Sequence, residues 1–252
     1  MIITIDIGNT TIAVGVMDKL KLISVHRLNT DLSVLALRNA LKALMGKIIR
    51  AQKNIKVVLI SSVVPNKTAV VERLAIKSFR LDVKVIGRDL YVPLLNRYKD
   101  PKQVGQDRLL GAYAAMTLYG YPVIVIDFGT AITFDVVSPK KEYLGGVIVP
   151  GLRLSAESLF LKTALLPQID IQAPHSVIGR TTQESILSGL FYGYGSLCQG
   201  FIGLISKQIK AHPKVVMTGG HTHLMKRFVA SKIRIIDEHL VHKGMALLAC
   251  EC

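Results

Sequence analysis

The sequence predicts a mixed α/β fold built from two duplicated halves, and three observations predict it. Short β-branched runs alternate with longer stretches of helical periodicity, as strands alternate with helices in such folds. Paired strands meet at tight turns, so part of each sheet must be antiparallel. Finally, Ile3-Thr4-Ile5-Asp6-Ile7-Gly8-Asn9-Thr10-Thr11-Ile12-Ala13-Val14 lines up with Ile124-Val125-Ile126-Asp127-Phe128-Gly129-Thr130-Ala131-Ile132-Thr133-Phe134-Asp135. Both segments read apolar strand, Asp-x-Gly, hydroxyl-bearing turn and second strand, and they lie 121 residues apart (Asp6 against Asp127).

In chain order, strands are expected at Ile2–Ile7, Ile12–Val16, Val57–Ile60, Val83–Ile86, Val123–Ile126, Ile132–Val137, Val215–Met217 and Ile233–Ile236. Helical periodicity occupies 33–53, 67–80, 105–119, 151–162, 181–210, 221–230 and 239–249. A helix stop followed by a strand start at Tyr119-Gly120-Tyr121-Pro122 sets the expected division into domains 1–118 and 119–252. Each domain is expected to contribute one hairpin to a shared cleft.

Composition narrows the class. The chain has 252 residues, half of them hydrophobic, and a mean hydropathy of +0.40, so it buries enough apolar surface to exclude disorder. Cys198, Cys250 and Cys252 form no C-x-x-C pair, which excludes a disulfide framework or zinc module and leaves three reduced thiols, as in a cytosol. His221-x-His223 lacks a nearby third ligand, so no structural metal is expected there. Tyr91, Tyr192 and Tyr194 read as packing residues.

The net charge is +15, and residues 1–120 hold 19 basic against 8 acidic side chains. Within the first helix region Arg38, Lys42, Lys47, Arg50, Lys53 and Lys56 lie opposite Leu35, Leu41, Leu44, Ile48 and Ile49. This is an amphipathic helix with a solvated basic face. No aromatics interleave with the charges, so a stacking platform for single strands is not supported and no nucleic-acid partner is expected. Ser185–Ser206 runs 22 residues without a charge, yet five glycines, four serines and Gln199 make it a buried or interface helix, with no membrane partner expected. Met1 leads straight into a strand with no basic n-region, so no signal peptide is expected and the location is cytoplasmic.

The repeated hairpins carry the chemistry. An Asp ending a buried strand is costly unless it meets a cation or strong donors. The Gly after it lets a ligand approach the backbone, and successive turn N–H groups with a Thr hydroxyl cradle phosphate oxygens. Val215-Val216-Met217-Thr218-Gly219-Gly220 adds a third glycine turn between strand and helix, suited to the nucleoside side of the same cleft. Neither a G-x-G-x-x-G opening a helix nor a G-x-x-x-x-G-K-[ST] occurs, which sets aside dinucleotide-binding and P-loop folds. The pattern resembles the actin and sugar-kinase ATPase superfamily. That resemblance implies two ribonuclease-H-like domains with ATP bound between paired phosphate hairpins.

Tyr98-Lys99-Asp100-Pro101-Lys102-Gln103-Val104-Gly105-Gln106-Asp107-Arg108 leads into a helix. A glycine, an acid and a guanidinium at a helix start suit an anionic small molecule. Asp107 is placed to accept a hydroxyl proton and Arg108 to hold a carboxylate or developing phosphate charge; a capping Asp beside a surface Arg is the alternative. The set Asp6-x-Gly8-Asn9-Thr10, Gly105-x-Asp107-Arg108, Asp127-x-Gly129-Thr130, Gly145-Gly146…Gly151, Gly179-x-Thr181-Thr182 and Thr218-Gly219-Gly220 resembles type III pantothenate kinase over essentially the whole chain.

This resemblance implies ATP-dependent phosphorylation of pantothenate to 4'-phosphopantothenate, the first step of coenzyme A biosynthesis. It implies a first phosphate loop of Asp6, Ile7, Gly8, Asn9, Thr10, Thr11, Ile12 and Ala13, with Asp6 near Mg2+ or a similar divalent ion. Thr130 then belongs to the second loop, and Asp127 holds the potassium or ammonium ion that the family requires. Asp107 is the base, within a substrate segment of Gly105, Gln106, Asp107 and Arg108. Tyr98 completes the pantothenate pocket with Thr182, which reaches in from the second subunit of a homodimer. Thr11, where many members have Asn, and the ending Leu240–Gly244 depart from the family pattern without touching this chemistry. An inactive regulatory protein of the same fold, and another small-molecule kinase of the superfamily, are the rival readings.

Overall fold

The computed structural model describes residues 1–52, 54–229, 233 and 235–250. Cys252 and Lys53 therefore lie outside the described residues, as does part of the expected strand Ile233–Ile236. The chain forms two compact units, Met1–Ala114 with His239–Cys252, and Ala115–Glu238. The division thus falls between Ala114 and Ala115, within a helix, instead of at 118/119, and the chain end groups with the first unit.

In the first unit, β1 (Ile2–Ile7) turns into β2 (Thr11–Asp18) and β3 (Lys21–Asn29). Then follow α1 (Val34–Ala51), β4 (Val57–Ser62), α2 (Pro65–Phe79), β5 (Val83–Val85), a two-residue β6 (Leu95–Asn96) and α3 (Gln106–Tyr119). Five strands run in the order β3-β2-β1-β4-β5, with β1 antiparallel to β2 and parallel to β4. Ile3, Ile5 and Ile7 alternate toward one sheet face, where they meet Ile12, Val14 and Val16 of β2 and the buried faces of α1 and α2. On α1 that face is Leu37, Leu41, Leu44, Met45 and Ile48. Leu35 and Ile49, expected on it, are exposed instead, because at 100° per residue they are turned well away from the 37/41/44/48 stripe. Ser33 caps α1 by accepting from the Ala36 N–H at 3.2 Å.

The second unit repeats the plan with β7 (Val123–Phe128), β8 (Ala131–Val137), β9 (Glu142–Pro150), β10 (Lys214–Thr218) and β11 (Ile235–Ile236). Its order is β11-β10-β7-β8-β9, which matches β5-β4-β1-β2-β3 strand for strand. The helices are α4 (Leu152–Lys162), the 28-residue α5 (Thr182–Ile209) and α6 (Thr222–Met225). Leu187, Leu190, Phe191 and Cys198 of α5 close the core over Ile124, Ile126, Phe128 and Phe134. Of the α5 glycines, Gly195 lies against the Phe228 backbone, whereas a Cβ at Gly189, Gly193, Gly200 or Gly203 would meet nothing. Close packing within the chain therefore accounts for one of these five glycines. Among the described residues, no helix is long and apolar enough to cross a membrane.

Helix α7 (Leu240–Cys250) packs on β1, β2, β3 and β4 of the first unit. There His242 Nδ1 lies 2.8 Å from Thr4 Oγ1, and an added Cβ on Gly15 would come within 2.9 Å of that ring. Tyr192 packs edge-on against Phe228, and the Tyr194 hydroxyl donates to the Pro150 carbonyl at 2.7 Å. Tyr91, read as packing, is exposed, since it sits in irregular chain outside both cores.

Candidate active site

Each hairpin turn is braced by the same three backbone bonds. In the first, Gly8 N donates to Thr11 O at 3.0 Å, Thr30 N to Thr10 O at 3.0 Å, and Val63 N to Ile7 O at 3.0 Å. In the second, Gly129 N donates to Ala131 O at 3.1 Å, Gly151 N to Thr130 O at 3.0 Å, and His221 N to Phe128 O at 3.1 Å. The turns differ by one residue. Ile7 pairs with Ile12, but Phe128 pairs with Ile132, so the alignment of the two repeats slips by one after the glycine. Ala13 corresponds to Thr133, the residues opposite Asp6 and Asp127.

Of the expected first-loop residues, Asn9 and Thr10 are exposed, and Gly8, Thr11 and Ala13 are half-buried. Ile7 and Ile12 are buried in the core, which leaves their main chain for the loop. Thr30 was not legible as a site residue, because nothing in the sequence reading marks β3. It is buried, and its hydroxyl donates to the Gly8 carbonyl at 2.8 Å, so it fixes the turn from the far side.

Asp6 lies in register with Ser61 of β4. Burial, chiefly, and then the Asp107 carboxylate push its pKa up to about 7, with the Ser61 hydroxyl pulling the other way. The fold thereby brings together two acids that are 101 positions apart (107 against 6). Asp107 sits in the first turn of α3, where Oδ1 accepts from the Arg108 N–H at 2.8 Å. A Cβ at Gly105 would displace the Asp107 carboxylate and come within 3.2 Å of Val63. Gln106 lies over Gly87, whose φ of +87° and close approach exclude a side chain. Tyr98 is half-buried, with its N–H donating to Asn96 Oδ1 at 2.9 Å.

In the second unit, Asp127 is flanked in register by Thr218 on β10 and Thr133 on β8. A Cβ at Gly219, whose φ is +96°, would collide with the Asp127 carboxylate, and one at Gly151 would collide with the Thr130 carbonyl. The glycines of two separate motifs thus clear room for this turn. Burial, then Arg153 and His223, hold His221 below its ordinary pKa. Thr130 is exposed on the turn. Thr182 is exposed at the first position of α5, after Thr181 has capped the helix by accepting from the Glu184 N–H at 3.2 Å. A Cβ at Gly179 would strike that first turn of α5. The Asp6 and Asp127 turns both offer carboxylates, hydroxyls and carbonyls, the oxygen donors that hard cations take. At Asp6 a cation would also relieve the repulsion from Asp107.

Comparison with known proteins shows the family and the fold. The family described as type III pantothenate kinase matches residues 2–203. A type III pantothenate kinase of Halalkalibacterium halodurans is 38% identical over 250 residues, covering 98% of each chain. Among solved structures, a Campylobacter jejuni protein described as of the Baf family of transcriptional activators aligns with a TM-score of 0.64 at 20% identity, over 99% of this chain and 98% of that one. A ROK family glucokinase from Streptomyces griseus, in complex with glucose and AMPPNP, aligns with a TM-score of 0.52 at 15% identity, over 99% of both. These structural likenesses bear on the fold alone, and the chain has the fold of the actin-like ATPases and sugar kinases.

Proposed function

Because the chain belongs to the type III pantothenate kinase family, and so phosphorylates pantothenate with ATP in coenzyme A biosynthesis, we propose that Asp107 is its catalytic base and that the hairpin turns hold the ATP phosphates. The observation that carries this reading is that the Asp107 carboxylate lies near enough to Asp6 to raise its pKa, with Gly105 leaving room for that carboxylate. Asp107 takes the proton of the pantothenate hydroxyl as that oxygen bonds to the γ-phosphorus and the bond to the β-phosphate oxygen breaks. Arg108, with Tyr98, Gly105 and Gln106, positions the substrate. The main chain of Asp6, Ile7, Gly8, Asn9, Thr10, Thr11, Ile12 and Ala13 forms the first phosphate loop, and Thr130 serves the second. The family uses ATP with a divalent ion, which when bound neutralises charge on the transferring phosphate; Asp6 is the residue that would hold it.

Asp127 is the ligand for potassium or ammonium, supported by the two threonines beside it. The protein acts in the cytoplasm as a homodimer, to which each chain lends Thr182. Support for the dimer comes from α5, where Gly189, Gly193, Gly200 and Gly203 leave a face open and Leu204 is 64% exposed. Sedimentation at micromolar concentration tests it.

Asp107→Asn should lower turnover by about 10²–10⁴-fold while nucleotide binding, measured by calorimetry, stays near wild type. Near-normal turnover would remove Asp107 from the base role. Pantothenate-dependent ADP release should rise with potassium, and Asp127→Asn should abolish that rise.

A further inference from the structure

The two hairpins are equivalent in strand order and turn bracing, which makes one difference between them informative. Opposite Asp6 and Thr4, strand β2 carries Ala13 and Gly15. At the matching places opposite Asp127 and Val125, strand β8 carries Thr133 and Asp135. The second hairpin therefore has two oxygen-bearing side chains where the first has none.

These side chains are joined. Asp135 is 2% exposed, and a carboxylate so buried needs strong donors. Thr133 Oγ1 donates to Asp135 Oδ2 at 2.9 Å, and the hydroxyl of the fully buried Tyr143 donates to Oδ1 at 2.7 Å. Residues two apart on a strand share a face, and so do residues directly opposite in an antiparallel pair. Asp127, Thr133 and Asp135 accordingly line one face of the sheet. A hydroxyl has one proton, and here it is committed to Asp135. What Thr133 has left for other neighbours is its lone-pair side, a ligand for a cation, and its proton does not compete with one for the Asp127 carboxylate.

We propose that Asp135 is a positioning residue that, by accepting the Thr133 proton, makes the Thr133 oxygen a second ligand for the monovalent cation at Asp127. The inference rests on the reading of Asp127 as the cation's ligand. The row Thr218–Asp127–Thr133 then presents a carboxylate between two hydroxyl-bearing residues. The first hairpin lacks this row on its β2 side and is left to the phosphate and its divalent ion.

The test is titration of the purified protein with the thallous ion, a potassium mimic read directly by its NMR shift, with potassium stimulation of turnover measured in parallel. Thr133→Val and Asp135→Asn should each weaken thallous binding by about 10–100-fold, with the KM for ATP near wild type. The double variant should be no weaker than either single one, because the two residues act as a unit. Should Asp135→Asn fail to fold, Thr133→Val decides, since it keeps the carboxylate and Tyr143. Normal thallous binding by folded Thr133→Val overturns the inference. Asp127→Asn separates the two levels. If it loses thallous binding while Thr133→Val keeps it, the inference alone fails; if it also keeps it, the cation reading of Asp127 fails.

Discussion

A methyl group at position 105 would drive into the Asp107 carboxylate and press on Val63. Gly105→Ala should thus move the proposed base, Asp107, without removing it, and misplacement of about an ångström costs on the order of 10²-fold in turnover. The expected outcome is a large fall in kcat with the KM for ATP little changed, measured by steady-state kinetics. His242 gives a second test at this scale. It is 5% exposed, and burial, then His239 and Arg27, hold its pKa down at about 4 against an ordinary 6.5. The folded state binds its proton less readily than the unfolded state, so this contribution to stability is complete above pH 6.5 and is lost as pH falls toward 4. The shift corresponds to about 3 kcal/mol. Urea unfolding should show wild type losing about that much more than His242→Gln between pH 7 and pH 4. The acids at 6, 107 and 127 were legible as candidates, since glycines and hydroxyls surround them in sequence. Thr30 and Asp135 were not, because each works through partners that the chain order does not reveal.

At the scale of elements, α1 shows how a correct helix can be read with its face partly wrong. Leu41 is fully buried and Leu35 is 68% exposed. Leu41→Ala should cost about 2–5 kcal/mol and Leu35→Ala within about 0.5, as measured by denaturant midpoints. Equal costs would contradict the packing of this helix. Six of the seven helices expected from periodicity are present with ends shifted by no more than two residues, whereas the one expected at 221–230 is helical only over Thr222–Met225, and residue 230 lies outside the described residues. Strands β3 and β9 went unread because their stability comes from backbone pairing with β2 and β8 more than from a continuous apolar run; along β3 no residue is fully buried. The one-residue difference between the turns was invisible for a related reason. An ungapped alignment matches residue types, whereas the register is set by which backbone groups bond across the hairpin.

Across the whole molecule, the chain's end completes the unit that its start begins. Leu240, Met245 and Leu248 are buried with the first unit. Side chains of this kind contribute about 1.5–3 kcal/mol each when fully buried, a sum comparable to the whole stability of many domains. A chain ending at Glu238 should therefore lose protease resistance over residues 1–114, as mass spectrometry of limited digests would show; an unchanged digestion pattern would contradict this. The +15 charge belongs to the whole chain as well, spread over helices, strands and connecting segments. It bears on long-range, salt-screened attraction of anions. Sequence by itself determined the α/β class, the duplication, the order of helices and most strands, and the candidate acids Asp6, Asp107 and Asp127. All of these are written in local patterns of a few to some twenty residues. Only the tertiary structure decided that Asp107 meets Asp6, that Thr30 locks the first turn, that α7 rejoins the first unit, and that Thr133 turns its proton to Asp135. Such meetings depend on how packed cores close long stretches of chain, and no local pattern encodes that.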